Sequence, residues 1–239
     1  MEKPKALRIL FVGNSYTYYN NLPGLLEYFA KSSPEKGIKV KTKMVVRGGA
    51  NLKFHWDEGK ALKAIRSKKY THVVLQEQSR LGGTYENGIL RVGHPDAFFH
   101  YARRFDAEIK KAAAKTVFFL TWARQDFPRN QPKLNAAYFA VAKKMKAIVV
   151  PVGPVWQIAQ KKRPKLSLYA ADGSHPSPLG TYLISCVFYK ILFELSPIGL
   201  PARGYKSTSR QISPSPKTIK LREGDARFLQ AIAQNFAKK

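Results

Sequence analysis

The stretch Leu7-Arg8-Ile9-Leu10-Phe11-Val12-Gly13-Asn14-Ser15 decides the fold. Its largely apolar run ends at Gly13, the pattern of a short strand buried in a parallel sheet, and a serine follows within two residues of the carboxyl end. Open α/β sheets place their ligands at that edge. Working outward, further apolar runs at 40–46, 72–75, 117–120 and 147–152 alternate with helical patterns near 22–30, 96–114, 133–145 and 178–195. Strand followed by helix, repeated, gives a parallel sheet with helices on both faces. With right-handed crossovers the expected fold is α/β: a flavodoxin-like, three-layer α/β/α arrangement around a five-stranded parallel sheet.

The chain of 239 residues reads as one domain spanning 1–239, long enough for a sizeable core. From 201 to 220 the composition shifts to Pro, Ser, Lys and Arg, the signature of an extended surface strap. The segment 221–239 reads as a docking helix: Phe228, Leu229, Ile232, Ala233 and Phe236 recur at helical spacing. Glu223 and Asp225 stand near its start and Lys238 and Lys239 at its end, matching the helix dipole.

The chemistry lies in Asp172-Gly173-Ser174-His175 taken together with Ser15. A serine hydroxyl is a poor nucleophile at neutral pH, so it needs a base within hydrogen-bond reach, and the base needs a partner that fixes its tautomer. With Asp-x-x-His spacing, a tight turn at Gly173 folds the carboxylate onto the imidazole Nδ1 and leaves Nε2 for the serine. Each part alone has a plainer explanation: Ser15 as a turn or cap residue, Asp172 and Ser174 as caps of the helix near Pro178. The conjunction carries the reading. Serine, then aspartate, then histidine is also the order of α/β-hydrolases, but Gly13-Asn14-Ser15-Tyr16-Thr17 lacks the second glycine of their nucleophile elbow.

Four blocks of the chain resemble the SGNH hydrolase superfamily, the GDSL-type esterases, in a branch with Gly-Asn-Ser in the first block. They are 10–15 ending in Gly13-Asn14-Ser15, Arg47-Gly48-Gly49-Ala50-Asn51, 73–79 ending in Gln76-Glu77-Gln78-Ser79, and Asp172-Gly173-Ser174-His175-Pro176. The resemblance implies that Ser15 attacks an ester carbonyl with His175 and Asp172 behind it. It also implies that the oxyanion is held by the N–H groups of Ser15 and Gly49 and by a side-chain amide from the third block. Where the family reads Gly-x-Asn-Asp this chain reads Gln76-Glu77-Gln78-Ser79, so Gln78 has to do the asparagine's work on a stem one methylene longer. Gln76 is the rival.

Trp122 and Arg124 sit just past the fourth strand, where Arg124 is expected to hold an anionic or hydroxyl group of the substrate and Trp122 to stack on it. His55 and Trp56 are candidates for a pocket wall, as are Tyr16, Tyr18 and Tyr19. The five histidines show no metal-ligand spacing, so neither a metal nor another cofactor is expected. Cys186, the sole cysteine, falls in an apolar run and reads as core. No stretch is apolar for long enough to cross a membrane. Met1-Glu2-Lys3-Pro4-Lys5 leads into the first strand without an apolar targeting region, so the reading is either cytoplasmic or exported with the signal already removed. Export is favoured because many members of the superfamily are exported.

Forty-two basic residues against 15 acidic give a net charge of +27. Such a surface attracts polyanions nonspecifically, yet Lys and Arg are dispersed and no nucleic-acid-binding motif is present. Three functions follow. The leading one is a serine esterase that cleaves small acyl esters, acetyl above all, on carbohydrates, since no long apolar lid precedes the last block. The second is a basic polyanion-binding protein on an SGNH-like scaffold, with weak or no hydrolysis. The third, acyl transfer to an alcohol, shares the same acyl-enzyme.

Overall fold

The structure is a computed structural model and describes residues 5–33, 38–86, 89–206 and 218–236. Residues 1–4, most of the strap at 207–217, and Lys238 and Lys239 lie outside the described residues.

Five strands form the central sheet: β1 Lys5–Gly13, β2 Ile38–Val46, β3 His72–Leu75, β4 Lys115–Leu120 and β5 Ile148–Pro151. Their order is β2-β1-β3-β4-β5 and every pairing is parallel, the flavodoxin-like order expected. The register sets Phe11 beside Met44 and Val74, so the chain leaves β1 between β2 and β3 at the sheet's carboxyl edge.

Eight helices enclose the sheet among the described residues: α1 Leu22–Lys31, α2 Leu52–Glu58, α3 Lys60–Arg66, α4 Asp96–Lys111, α5 Gln131–Met145, α6 Val152–Lys162, α7 Pro178–Phe188 and α8 Glu223–Asn235. A single helical turn, Ser15–Tyr18, precedes them. The two-residue side-chain period of β1 divides the core. Leu7, Ile9 and Phe11 pack with α1, α6, α7 and α8, whereas Leu10 and Val12 pack with α2 to α5. Fully burying each such side chain contributes about 1.5–3 kcal/mol, so both faces of the strand are stabilising. On the edge strand β2 the alternate residues Lys39, Lys41 and Lys43 are exposed, which discourages pairing with another chain.

Several boundaries differ from the sequence reading. The apolar run at 147–152 is strand only to Pro151, and Val152 begins α6, with Pro154 in the first turn where its missing N–H costs nothing. Helix α7 ends at Phe188 and continues through Tyr189–Phe193 as π-helix. Its start is fixed by Ser177, whose Oγ accepts the Gly180 N–H at 3.1 Å. The ends of the strap are not loose: Arg203–Lys206 and Thr218–Lys220 pair antiparallel, with Tyr205 and Ile219 buried against α1 and its surroundings. Cys186 is a buried free thiol. Among the described residues no helix is long and apolar enough to cross a membrane.

Candidate active site

The turn after β1 is built around a buried amide. Asn14 N–H donates to Gln76 Oε1 at 2.9 Å and Thr17 Oγ1 donates to the same oxygen at 3.0 Å. Gln76 Nε2 donates to Glu77 O at 2.9 Å, and the side chain is fully buried. A Cβ at Gly13 would stand 2.6 Å from Gln76 Oε1, so glycine is what admits this amide beneath the turn. The Asn14 side chain accepts the Tyr16 N–H at 3.1 Å and donates to Ala50 O at 2.9 Å. One asparagine thus caps the Ser15–Tyr18 turn and ties it to the second block. His55 reinforces the junction from below: its Nε2–H donates to Gly13 O at 2.8 Å, and burial holds its pKa below the ordinary value. It is wholly buried and lines no pocket, contrary to the sequence reading. Trp56 packs on Phe105 with the Arg104 guanidinium 4.1 Å above its ring, which accounts for it as packing too.

The last block forms the expected turn. Gly173 takes φ +64°, a conformation that few other residues adopt, and its N–H donates to Ala170 O at 3.0 Å. Asp172 Oδ1 accepts the N–H groups of Ser174 at 3.0 Å and His175 at 2.9 Å, leaving Oδ2 for His175 Nδ1. His175 Nε2 then meets Ser15 Oγ at 2.8 Å. The three residues named from sequence are therefore hydrogen-bonded in series across 160 positions of chain. Burial works against the charge on Asp172, but the hydrogen bonds from the His175 ring and the two N–H groups outweigh it and hold the carboxyl at about 2. The aspartate stays ionised through neutral pH, and His175 is held in the tautomer whose Nε2 can accept the serine proton.

Two aromatic contacts hold this turn in place. The Tyr19 ring stacks on the His175 imidazole at 4.4 Å and 18°. Trp122 is fully buried, stacked between Tyr16 at 4.6 Å and Trp156 at 4.3 Å, and its Nε1–H donates to Ser174 O at 3.0 Å. The expectation that Trp122 stacks on substrate is therefore corrected. It lies two residues beyond the end of β4 with its ring turned into the core, where it supports the loop that holds Asp172 and His175. Tyr16 is also packing, its hydroxyl 2.7 Å from Ser174 Oγ.

One buried carboxylate lies between the loops that carry Gly49 and Gln78. Glu77 Oε2 accepts the Leu52 N–H at 3.0 Å and Oε1 accepts the Gln78 N–H at 2.7 Å, joining the second block to the third. Burial raises its pKa to about 7 despite those two N–H groups. Gly49 is exposed in the 47–50 turn, and neither its N–H nor that of Ser15 has an acceptor among the described residues. Gln78 is half-buried; its Oε1 accepts the Arg80 N–H at 2.8 Å and its Nε2 makes no bond among the described residues. Gln76, the rival, is spent on the turn beneath. Arg124 is half-buried, and Gln125 N–H donates to Gly173 O at 2.8 Å, which sets the arginine beside the 172–175 loop. Sequence reasoning missed Glu77 and Tyr85, the second a half-exposed aromatic whose ring lies 6.0 Å from the Arg124 guanidinium. An ionisable residue closing an apolar strand between two glutamines was the available signal for Glu77; nothing in the local pattern marked Tyr85. No group of three or more metal-ligating side chains occurs among the described residues.

No protein-family model matches the chain, and no curated protein matches it in sequence. Solved structures do. A candidate SGNH hydrolase from Slackia heliotrinireducens is 24% identical with a TM-score of 0.63, covering 79% of this chain and 100% of that one. A DUF4886 family protein from Bacteroides uniformis is 16% identical with a TM-score of 0.69, covering 97% of this chain and 94% of that one. An acetyl xylan esterase from Geobacillus stearothermophilus is 17% identical with a TM-score of 0.57, covering 80% of this chain and 97% of that one. At these identities the likeness is one of fold: the chain has the α/β/α architecture of the SGNH hydrolases.

Proposed function

We propose that the protein is a serine ester hydrolase of the SGNH type, in a branch with Gly-Asn-Ser in its first block, which removes small acyl groups, acetyl foremost, from acylated carbohydrates. The observation that carries this reading is the series Asp172–His175–Ser15, with Nε2 2.8 Å from the serine oxygen. Such a series has no structural task that a simpler pair would not perform, and it lies at the carboxyl edge where α/β sheets bind ligands.

Ser15 Oγ attacks the acyl carbon while His175 Nε2 takes its proton, and Asp172 stabilises the imidazolium that forms. Charge moves onto the former carbonyl oxygen, which the N–H groups of Ser15 and Gly49 and the Gln78 amide receive as donors. His175 returns the proton to the departing alkoxide, leaving acyl-Ser15. Water deprotonated by His175 then attacks the acyl-enzyme, and the acid leaves as the serine regains its proton. No cofactor is needed at any step. Arg124 is the substrate-binding residue of the rim. The presence of acetyl xylan esterases among the proteins of similar fold supports the acetyl and carbohydrate choices.

The test is hydrolysis of chromogenic acetyl, butyryl and octanoyl esters by wild type and Ser15→Ala at two salt concentrations. Turnover that disappears with Ser15 and is greatest for acetyl is the expected result. Turnover that survives Ser15→Ala would remove Ser15 as the nucleophile, and no turnover with any ester alongside salt-sensitive retention of a polyanion would transfer the assignment to a binding protein.

A further inference from the structure

The rim of the site carries two guanidinium groups without anionic partners. Arg124 Nε and Arg80 Nε are both buried and make no hydrogen bond within the protein. Neither arginine forms an ion pair among the described residues, and the nearby Glu86 is taken by Arg91 at 2.5 Å. No carboxylate among the described residues pairs with either guanidinium, so each is open to an anion brought by a ligand.

A small hairpin connects the Arg80 backbone to the Arg124 guanidinium. Arg80 follows Gln78 by two residues, and its carbonyl accepts the Gly83 N–H at 2.8 Å and the Gly93 N–H at 2.9 Å. These bonds root a small hairpin, Tyr85–Glu86 against Ile89–Leu90, on the loop that carries Gln78. From the hairpin Tyr85 reaches across to the other wall, edge-on to Phe127 at 6.1 Å and 6.0 Å from Arg124. The Tyr85 side is half open, at 47% exposure. One rim therefore presents a half-exposed aromatic ring with a guanidinium over it, next to the loop that holds His175.

Resting on the esterase reading, we propose that the alcohol side of the ester is an acidic sugar, its ring laid on Tyr85 and its carboxylate bound by Arg124. Guanidinium matches carboxylate in a two-point geometry that an ammonium does not reproduce. An amphipathic sugar ring suits a tyrosine face whose edge is apolar and whose rim is wet. The overall charge of +27 draws such substrates in from a distance but does not orient them.

The experiment measures acetate release from triacetyl methyl glucuronoside and triacetyl methyl xyloside, which differ only by the carboxylate. Wild type should favour the glucuronoside in kcat/KM by about tenfold or more, the equivalent of one charge-assisted contact. Arg124→Ala should bring the ratio near one, Arg124→Lys should restore part of it, and the change should lie in KM. The ratio should persist at about 1 M salt, where charges further than about 3 Å apart are screened. Equal turnover of both sugars by wild type, or a preference that salt abolishes and Arg124→Ala leaves intact, overturns the acidic-sugar assignment while leaving ester hydrolysis standing. Absence of Ser15-dependent acetate from both sugars and from simple acetyl esters overturns the hydrolase reading and this assignment with it.

Discussion

The turn that carries Ser15 and the rim that surrounds it are made of the same residue types and are satisfied in opposite ways. Beneath Ser15, Gln76 bonds to Asn14, Thr17 and Glu77, and His55 and Asn14 tie the turn to its neighbours. On the rim, the Gly49 N–H, the Gln78 Nε2 and the Nε atoms of Arg80 and Arg124 have no partner among the described residues. The first region is complete within the protein and fixes geometry. The second is left incomplete by the protein's own acceptors. Two glutamines two residues apart thus do different work, and the difference lies in where their amides end.

Four substitutions test that division. The largest effect is expected for Asp172→Asn, which leaves the turn in place but presents His175 with the wrong partner; kcat should fall about 10⁴-fold with KM little changed. A loss under tenfold would mean that the series is not catalytic. Gln78→Ala should lower kcat about 10²–10³-fold at unchanged melting temperature, since the amide acts on the developing oxyanion. If Gln78→Ala instead lowered stability and left kcat intact, rim and support would have been misassigned.

Glu77 joins the two regions and carries a pH signature. Its folded pKa of about 7 lies above the unfolded value of 4.5, so the folded state holds the extra proton between those values. Stability from this group is full below about pH 4.5 and declines as pH rises through about 7. Glu77→Gln should remove that slope, on the order of 3 kcal/mol across the window, measured as the difference between wild-type and variant denaturation curves at each pH. Parallel curves would contradict it. The smallest effect is expected for Gln76→Leu, which strands the Asn14 N–H and the Thr17 hydroxyl at a cost of about 1–3 kcal/mol in stability.

Much of this was legible in the sequence, and the limits have physical causes. The inner strands announced themselves because parallel strands buried on both faces read as continuous apolar runs, while the edge strand β2 showed only in its apolar end, Met44 to Val46. Helices α2 and α3 did not, because Gly59, at φ +76°, breaks one amphipathic pattern into two seven-residue pieces. The hydrogen-bonded series Asp172–His175–Ser15 was legible because a serine, a base and its orienting carboxylate are specific residue types, and the Asp-x-x-His spacing itself dictates a turn. Trp122 was misread because position along a strand fixes the edge a residue reaches but not which way its ring turns once the strand has ended. Tyr85 was missed since a hairpin of two-residue strands has no period to detect.

The most direct test of the account is covalent capture of the nucleophile. Intact protein is exposed to a fluorophosphonate ester and the adduct mapped by peptide mass, in wild type and in His175→Ala. The account expects a single adduct on the peptide containing Ser15, formed quickly in wild type and scarcely at all without His175. Labelling of another serine, or equal labelling of Ser15 with and without His175, would contradict it.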